Sequence, residues 1–256
     1  MFRGIYDGAS AMLVQQYVVD VTANNLANAD TSGFQKQLAL AKNHPEAVLV
    51  RSENESRGMS KKTPVGAASL GLVLNETATV VEPGPLKETG NPLDCAISGD
   101  GYFQVTDGVN VYYTRSGNFT LDALGQLVTP SGLVVNGAAG PLVVGDAETF
   151  SIRDDGVVFA DGEEIGRLAV FSFAEPSFLH RRGSGLFSET PASGPPQPVL
   201  DEEIRLVPGF VEGSNVNIIE EMTKMIAAGR AYEAVSKAFD SETETARQMI
   251  QAFGRQ

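Results

Sequence analysis

Near its start the chain repeats an apolar residue every seven positions: Ile5, Met12, Val19 and Leu26, with Phe2, Ala9 and Ala23 beside them. One stripe along about seven helical turns predicts a long amphipathic N-terminal helix. The other end repeats the pattern more strictly. Ile218, Met225, Tyr232, Phe239, Ala246 and Phe253 are each seven apart, flanked by Met222, Ala228, Val235, Met249 and Ile250. Asn217 followed by Glu220 reads as an N-cap with its capping-box partner, and Glu220/Lys224 and Glu233/Lys237 are i,i+4 pairs for a solvated side. At about 1.5 Å per residue this C-terminal helix would run roughly 55 Å. A lone helix of that length cannot bury its own stripe, so the two terminal helices are expected to pair as a coiled-coil core, with each other or with neighbouring copies.

Between them the period changes. From Leu93 to Val135 short apolar or β-branched runs (LDCAI, GYFQV, NVYYT, GNFTL, QLVT, LVV) alternate with turn clusters rich in Asp and Gly. That spacing predicts antiparallel hairpins, and the same style continues through residues 150 to 173. All 13 prolines fall between Pro45 and Pro208, leaving both ends free of the strongest helix breaker. The expected class is α+β, a mostly antiparallel β middle domain with long helices at both termini. The expected division is an N-terminal helix over 1–34, an extended connector over 35–83, a β-rich outer domain over 84–213 and a C-terminal helix over 214–256. The two terminal segments together form an inner helical domain. The connector, with a weak strand pattern in SLGLVLNETATVVEPG, is expected to become ordered on a partner.

Charge adds an asymmetry. The 256-residue chain carries −13 overall, which argues against nucleic acid and anionic membrane surfaces as partners. Residues 84–213 hold 7 basic against 18 acidic side chains, while residues 35–63 hold 6 basic against 3 acidic. The sequence has no apolar run of roughly 18 or more residues to span a bilayer. Its first residues, with Arg3 followed by Asp7 in a mixed amphipathic pattern, do not read as a cleaved secretory signal.

Chemistry is hard to find. Cys95, the one cysteine, sits in an apolar run and reads as a buried small hydrophobe. His44 and His180 have no second ligand at helical or hairpin spacing, and no Gly-x-Ser-x-Gly is present, so neither a zinc site nor a nucleophilic triad is expected. The stretch RDDGVVFADGEE (153–164) lacks calcium-loop spacing and reads as two Asp-Gly hairpin turns. RRGSG (181–185) could cradle a phosphate only if a helix followed, whereas LFSET reads as a strand. The chain is therefore expected to be no enzyme, with no catalytic residue, metal or cofactor.

At this point the residues carry a resemblance. ANNLANADTSGF (23–34) resembles the N-terminal signature of the flagellar rod and hook family of bacterial axial proteins. TGNPLDCAISGDGYFQV (89–105), YYTRSGNFTLDALGQLVTPSGLVVNG (112–137) and EGSNVNIIEEMTKMIAAGRAYEAVSKAF (212–239) are similar to its other recurrent blocks, in the same order. Within the family the chain looks most like proximal-rod subunits, then distal-rod and hook subunits. The resemblance implies a structural subunit of the basal-body rod, exported unfolded and without cleavage through the flagellar type III apparatus into the periplasmic part of the flagellum. There it would assemble with copies of itself and other rod proteins into a tube that transmits torque, with no direct membrane insertion.

Two other classes stay open from the residues alone, a secreted enzyme with its site in the β domain and a trimeric adhesin. The expected assembly seam is Ile5, Met12, Val19 and Leu26 with Ile218, Met222, Met225, Tyr232 and Phe239. At the end of the first stripe Asn24, Asn25 and Asn28, then Gly33 and Phe34, form a junction. Asn28 and Asp30 are expected to satisfy freed backbone groups, Gly33 to take a positive φ, and Phe34 to anchor the chain. The resemblance implies that neighbouring subunits pack over this junction.

Overall fold

The computed structural model describes the chain except residues 1, 44–45, 55–59, 70, 146, 148, 200–204 and 254–256. His44 and Arg57 of the expected connector lie outside the described residues. The chain forms two compact units, one of Met1–Asn24, Leu38–Ala78 and Ile219–Gln256, the other of Asn25–Gln37 and Thr79–Ile218.

The first unit holds both long helices, α1 (Phe2–Ala27) and α2 (Ile218–Phe253). Their limits agree with the two heptad stripes. Glycines at i and i+4 of α1 let α2 come close: Gly4 lies against the Glu242 carboxylate, and a Cβ built on Gly8 would sit 3.4 Å from the Phe239 ring. On α2, Lys224 closes its predicted pair with Glu220 at 2.6 Å and also reaches the buried Glu221 at 3.1 Å, whereas Glu233 and Lys237 form no ion pair with each other.

Residues 35–83, expected to be an extended connector, contain four strands of this unit: β1 (Gln37–Asn43), β2 (Glu46–Asn54), β3 (Ser60–Ser69) and β4 (Leu72–Thr79). β1 pairs with β4, and β2 and β3 form a two-stranded antiparallel ribbon of their own with a bulge at Leu49/Val50. Hydrogen bonds tie α1 to this region, among them Tyr17 Oη with Thr77 Oγ1 at 3.1 Å and the Leu72 amide donating to Ser10 Oγ at 3.2 Å.

The strands described in the second unit all pair antiparallel, with one short 3-10 helix at Pro176–Phe178. The unit runs β5 (Leu86–Glu88), β6 (Cys95–Ile97), β7 (Tyr102–Thr106), β8 (Val111–Thr114), β9 (Thr120–Leu121), β10 (Leu127–Val128), β11 (Val134–Gly137) and β12 (Gly140–Pro141). Then follow β13 (Phe150–Ile152), β14 (Val157–Ala160), β15 (Glu163–Arg167), β16 (Val170–Ser172), β17 (His180–Gly183), β18 (Leu186–Ser188), β19 (Gln197–Pro198), β20 (Leu206–Pro208) and β21 (Phe210–Glu212).

The main sheet has the order β17-β18-β8-β7-β11-β10-β9, with β12, β16 and β19 attached to it. Strand alternation sorts its two faces, since successive side chains on a strand point opposite ways. Phe103 and Val105 of β7 enter a core with Cys95, Phe119, Leu127, Val135, Val158 and Leu168, while Tyr102 joins Tyr113, Phe173, Leu179 and Phe187 in a second cluster. Edge-to-face contacts order that second cluster, with Tyr113 and Phe173 ring centres 4.9 Å apart and Tyr102 and Phe187 5.6 Å apart.

The acidic stretch 153–164 forms the two turns expected of it, linking β13, β14 and β15, with Gly156 at φ 84° and Gly162 at φ 85°. LFSET supplies β18, so RRGSG leads into a hairpin. Cys95 is fully buried, and burial pushes its thiol up to about 12.

Candidate functional site

Residues 25–37 are where the heptad helix hands over to the β unit, and their geometry is closely determined. α1 ends in turns: the Asn28 amide donates to Asn25 O at 3.1 Å, and the Thr31 amide to Asn28 O at 3.2 Å. Asn25 is fully buried and clasps the strand that follows, its Nδ2 donating to Gln37 O at 2.8 Å and its Oδ1 accepting from the Gln37 amide at 2.9 Å. This amide therefore serves as a false strand neighbour for Gln37. Asn28 is half-buried and Asn24 exposed, while Asp30 projects toward Lys87 at 3.8 Å.

Gly33 takes φ +67°, as the turn chemistry predicts. Its amide donates to Glu212 O at 2.8 Å, and a Cβ there would collide with the Ser116 amide nitrogen and lie 2.7 Å from the Arg115 carbonyl carbon. Gly33→Ala is expected to destabilise the second unit by about 1–2 kcal/mol from the left-handed backbone alone, and more from the displaced strand. Urea unfolding followed by circular dichroism measures this, and an unchanged midpoint would show that the turn can relax.

Phe34 is the anchor it was expected to be, only 2% exposed, with the Arg181 guanidinium stacked 4.0 Å above its ring. Arg181 Nη1 also donates to Gln35 O at 2.9 Å.

The chain just before α2 closes the junction from the other side. Asn215 accepts from the Lys36 amide at 2.7 Å, and its Nδ2 donates to Val80 O at 3.0 Å and Glu82 O at 3.2 Å. Three segments far apart in sequence thus meet on one side chain.

Next to it lies a buried ion pair. Arg115 Nε donates to Glu212 Oε2 at 2.8 Å, and the two side chains are 1% and 3% exposed. Every side of the pair is occupied: Arg115 Nη2 donates to Gly99 O at 2.8 Å, the guanidinium lies 5.7 Å from the Tyr102 ring centre, and Glu212 Oε1 accepts from the Gly84 amide at 2.9 Å. These further contacts offset part of the cost of burying the two charges. The Tyr102 hydroxyl is pushed up by burial, with Arg115 opposing the shift.

An open cleft of about 290 Å³ runs beside the turn, lined by Asn28, Thr31 and Ser32 from the junction and by Thr114, Ser116 and Asn118 across from them, among others. Its lining is uncharged, and the junction beside it offers fixed backbone geometry.

The expected seam residues distribute unevenly. Ile5, Met12, Val19 and Leu26 are half-buried, as are Met225, Tyr232 and Phe239; Ile218 and Met222 are exposed. The better buried apolar residues of α1 are Val14 and Val21, themselves seven apart. They stand two places from Met12 and Val19, about 200° around the helix. Gln35, Arg115, Arg181, Glu212 and Asn215 escaped the sequence reading. Arg115 carried one signal, a charged residue inside the apolar alternation of YYTRSGNF.

Comparison with known proteins places the same blocks in one family. Residues 5–35 match the family described as flagella basal body rod protein, residues 96–160 the flagellar hook protein FlgE/F/G D1 domain, and residues 207–252 the flagellar basal body rod FlgEFG protein C-terminal. The flagellar basal-body rod protein FlgG of Bacillus subtilis is 34% identical over 98% of this chain and 98% of its own length. FlgF of Caulobacter vibrioides is 32% identical over 100% of this chain and 99% of its own, and FlgG of Borreliella burgdorferi 34% identical over 94% and 95%.

Proposed function

The chain belongs to the flagellar basal-body rod family, as a structural rod subunit of FlgF or FlgG type that assembles with other flagellar axial proteins, and from this premise we propose how it does so. Copies of segments 1–34 and 214–256 pack into an inner helical tube with coiled-coil contacts. The β-rich region 84–213 stands outside it, and residues 35–83 bridge neighbours.

The observation that carries this reading is apolar surface left open on both helices. Tyr6 and Leu13, seven apart on α1, are 73% and 72% exposed; Ile219 is 77% and Ile226 56% exposed on α2. A monomer with two different exposed apolar stripes is suited to heterologous contacts, and contacts of that kind that do not close on themselves build helical filaments. Torque then passes from subunit to subunit through the tube. The junction at 25–37, pinned by Asn25, Asn215 and Glu212, keeps each outer domain fixed relative to its own turn.

The reading includes a proximal-rod position, passage through the type III export apparatus without cleavage, and a final place in the periplasmic rod. Mass spectrometry of purified hook–basal bodies, together with motility of a deletion strain, tests it. The chain is expected in the basal body, and the deletion strain is expected to lack flagella. Absence of the chain from purified basal bodies, or a motile deletion strain, would overturn the assignment.

A further inference from the structure

Two arginines hold the junction, and they differ in one respect. Arg115 is neutralised by Glu212 at 2.8 Å. Arg181, on the β17–β18 hairpin, has no carboxylate within 4.0 Å among the described residues. Its contacts are the Phe34 ring at 4.0 Å and a single hydrogen bond to Gln35 O at 2.9 Å. A guanidinium has five N–H donors in a planar fork, so stacking on Phe34 fixes its plane while most of the donors stay open. The group is half-buried, and desolvation lowers its pKa.

A second feature lies on the same chain segment. The Gln35 side chain, 1% exposed, lies against the buried Tyr102 hydroxyl, so Arg181 meets this segment through the Gln35 carbonyl and the Phe34 ring. Holding a partly desolvated cation with no carboxylate beside it costs stability, which an incoming carboxylate would recover.

We infer that Arg181 is the receptor for a carboxylate from a neighbouring copy of this chain, received in the guanidinium plane above Phe34. The assembly reading is the ground for this inference. The occupant follows from charge. Residues 84–213 carry 18 acidic side chains against 7 basic, so a second copy brings carboxylates in excess to any contact with the first. A fork of in-plane N–H groups matches a carboxylate in bidentate geometry. An ion pair between subunits at this point would lock the outer domain of one copy to the junction of the next, complementing the apolar contacts of the helices.

The test uses the full chain in purified basal bodies. Arg181→Lys places a reactive amine at the site, and a water-soluble carbodiimide joins it to a carboxylate in contact with it. The expected product is a covalent dimer on a denaturing gel, with mass spectrometry assigning the bond to the introduced amine at position 181 and an Asp or Glu of another copy. Links only within one chain, or none, would overturn the inference. In parallel, Arg181→Gln is expected to lower incorporation about tenfold, the scale of one charge-assisted contact, while the isolated chain keeps its β-sheet circular dichroism and unfolds at a somewhat lower midpoint, since the Phe34 ring contact and the hydrogen bond to Gln35 O are lost. Wild-type levels of Arg181→Gln in the rod would defeat this proposal alone. A wild-type chain that never enters basal bodies would defeat the assembly reading and this inference with it.

Discussion

Replacing Arg115 by Met is expected to cost about 3–5 kcal/mol of stability, because it strands the Glu212 carboxylate in a buried site. Glu212 keeps only the Gly84 amide, 2.9 Å from Oε1, as compensation. The chain has no tryptophan, so urea unfolding is best followed by circular dichroism.

The double variant Arg115→Met, Glu212→Gln separates the cost of an orphaned charge from the worth of the pair. A neutral amide can still accept from Gly84, so the double variant is expected to be less destabilised than the sum of the two single changes, by about 0.5–3 kcal/mol. The effect should be readable at the junction as well, since the Glu212 carbonyl accepts from the Gly33 amide at 2.8 Å. Faster hydrogen exchange at Gly33 and Gly84 is expected in Arg115→Met. A loss under about 1 kcal/mol, with both amides still protected, would mean that the pair contributes little and that backbone hydrogen bonds alone hold the turn.

This pair also marks the limit of what the sequence could reveal. Arg115 and Glu212 are 97 residues apart, and Lys36 and Asn215 are 179 apart. Nothing local announces such partners: a charged residue reads as solvated until the fold brings its counter-ion. By contrast, features set by local sterics were legible. Seven-residue periodicity located α1 and α2, alternation separated Tyr102 from Phe103 on β7, and Gly33 followed from the need for positive φ before an apolar anchor.

Residues 35–83 fall between these cases. The run LVLNETAT did become β4, yet its partner β1 begins 35 residues earlier, and pairing at that distance leaves no trace in either strand. The ribbon of β2 and β3 was harder still, because Val48, Val50 and Val65, the apolar residues that would mark a buried face, are exposed. Helix surface has a related ambiguity. The seven-residue stripe predicted contact, but half-burial of Ile5, Met12 and Val19 shows it only partly used within one chain.

That unused surface leads to the second large effect. Tyr232→Asp is expected to abolish incorporation into the rod while leaving the β unit folded. Tyr232 sits midway along α2 between Met225 and Phe239 on the same heptad line, and all three are half-buried in the isolated chain. Further covering by a neighbour's helix would desolvate a carboxylate there with no cation provided for it, a cost of several kcal/mol per contact. Each subunit in a tube repeats the contact, so the defect recurs at every step of growth.

The Phe103 and Phe119 core belongs to the other unit, so the β-sheet circular dichroism signal and its thermal transition should stay near wild type. Tyr232→Phe separates loss of the apolar face from loss of the hydroxyl, and it is expected to enter basal bodies normally. Incorporation of Tyr232→Asp at wild-type levels would remove Tyr232 from the seam and shift attention to the exposed line of Ile219, Met222 and Ile226. If both variants fail, the phenol oxygen has a partner in the assembled rod, and the contact is a hydrogen bond where the heptad argument places apolar packing.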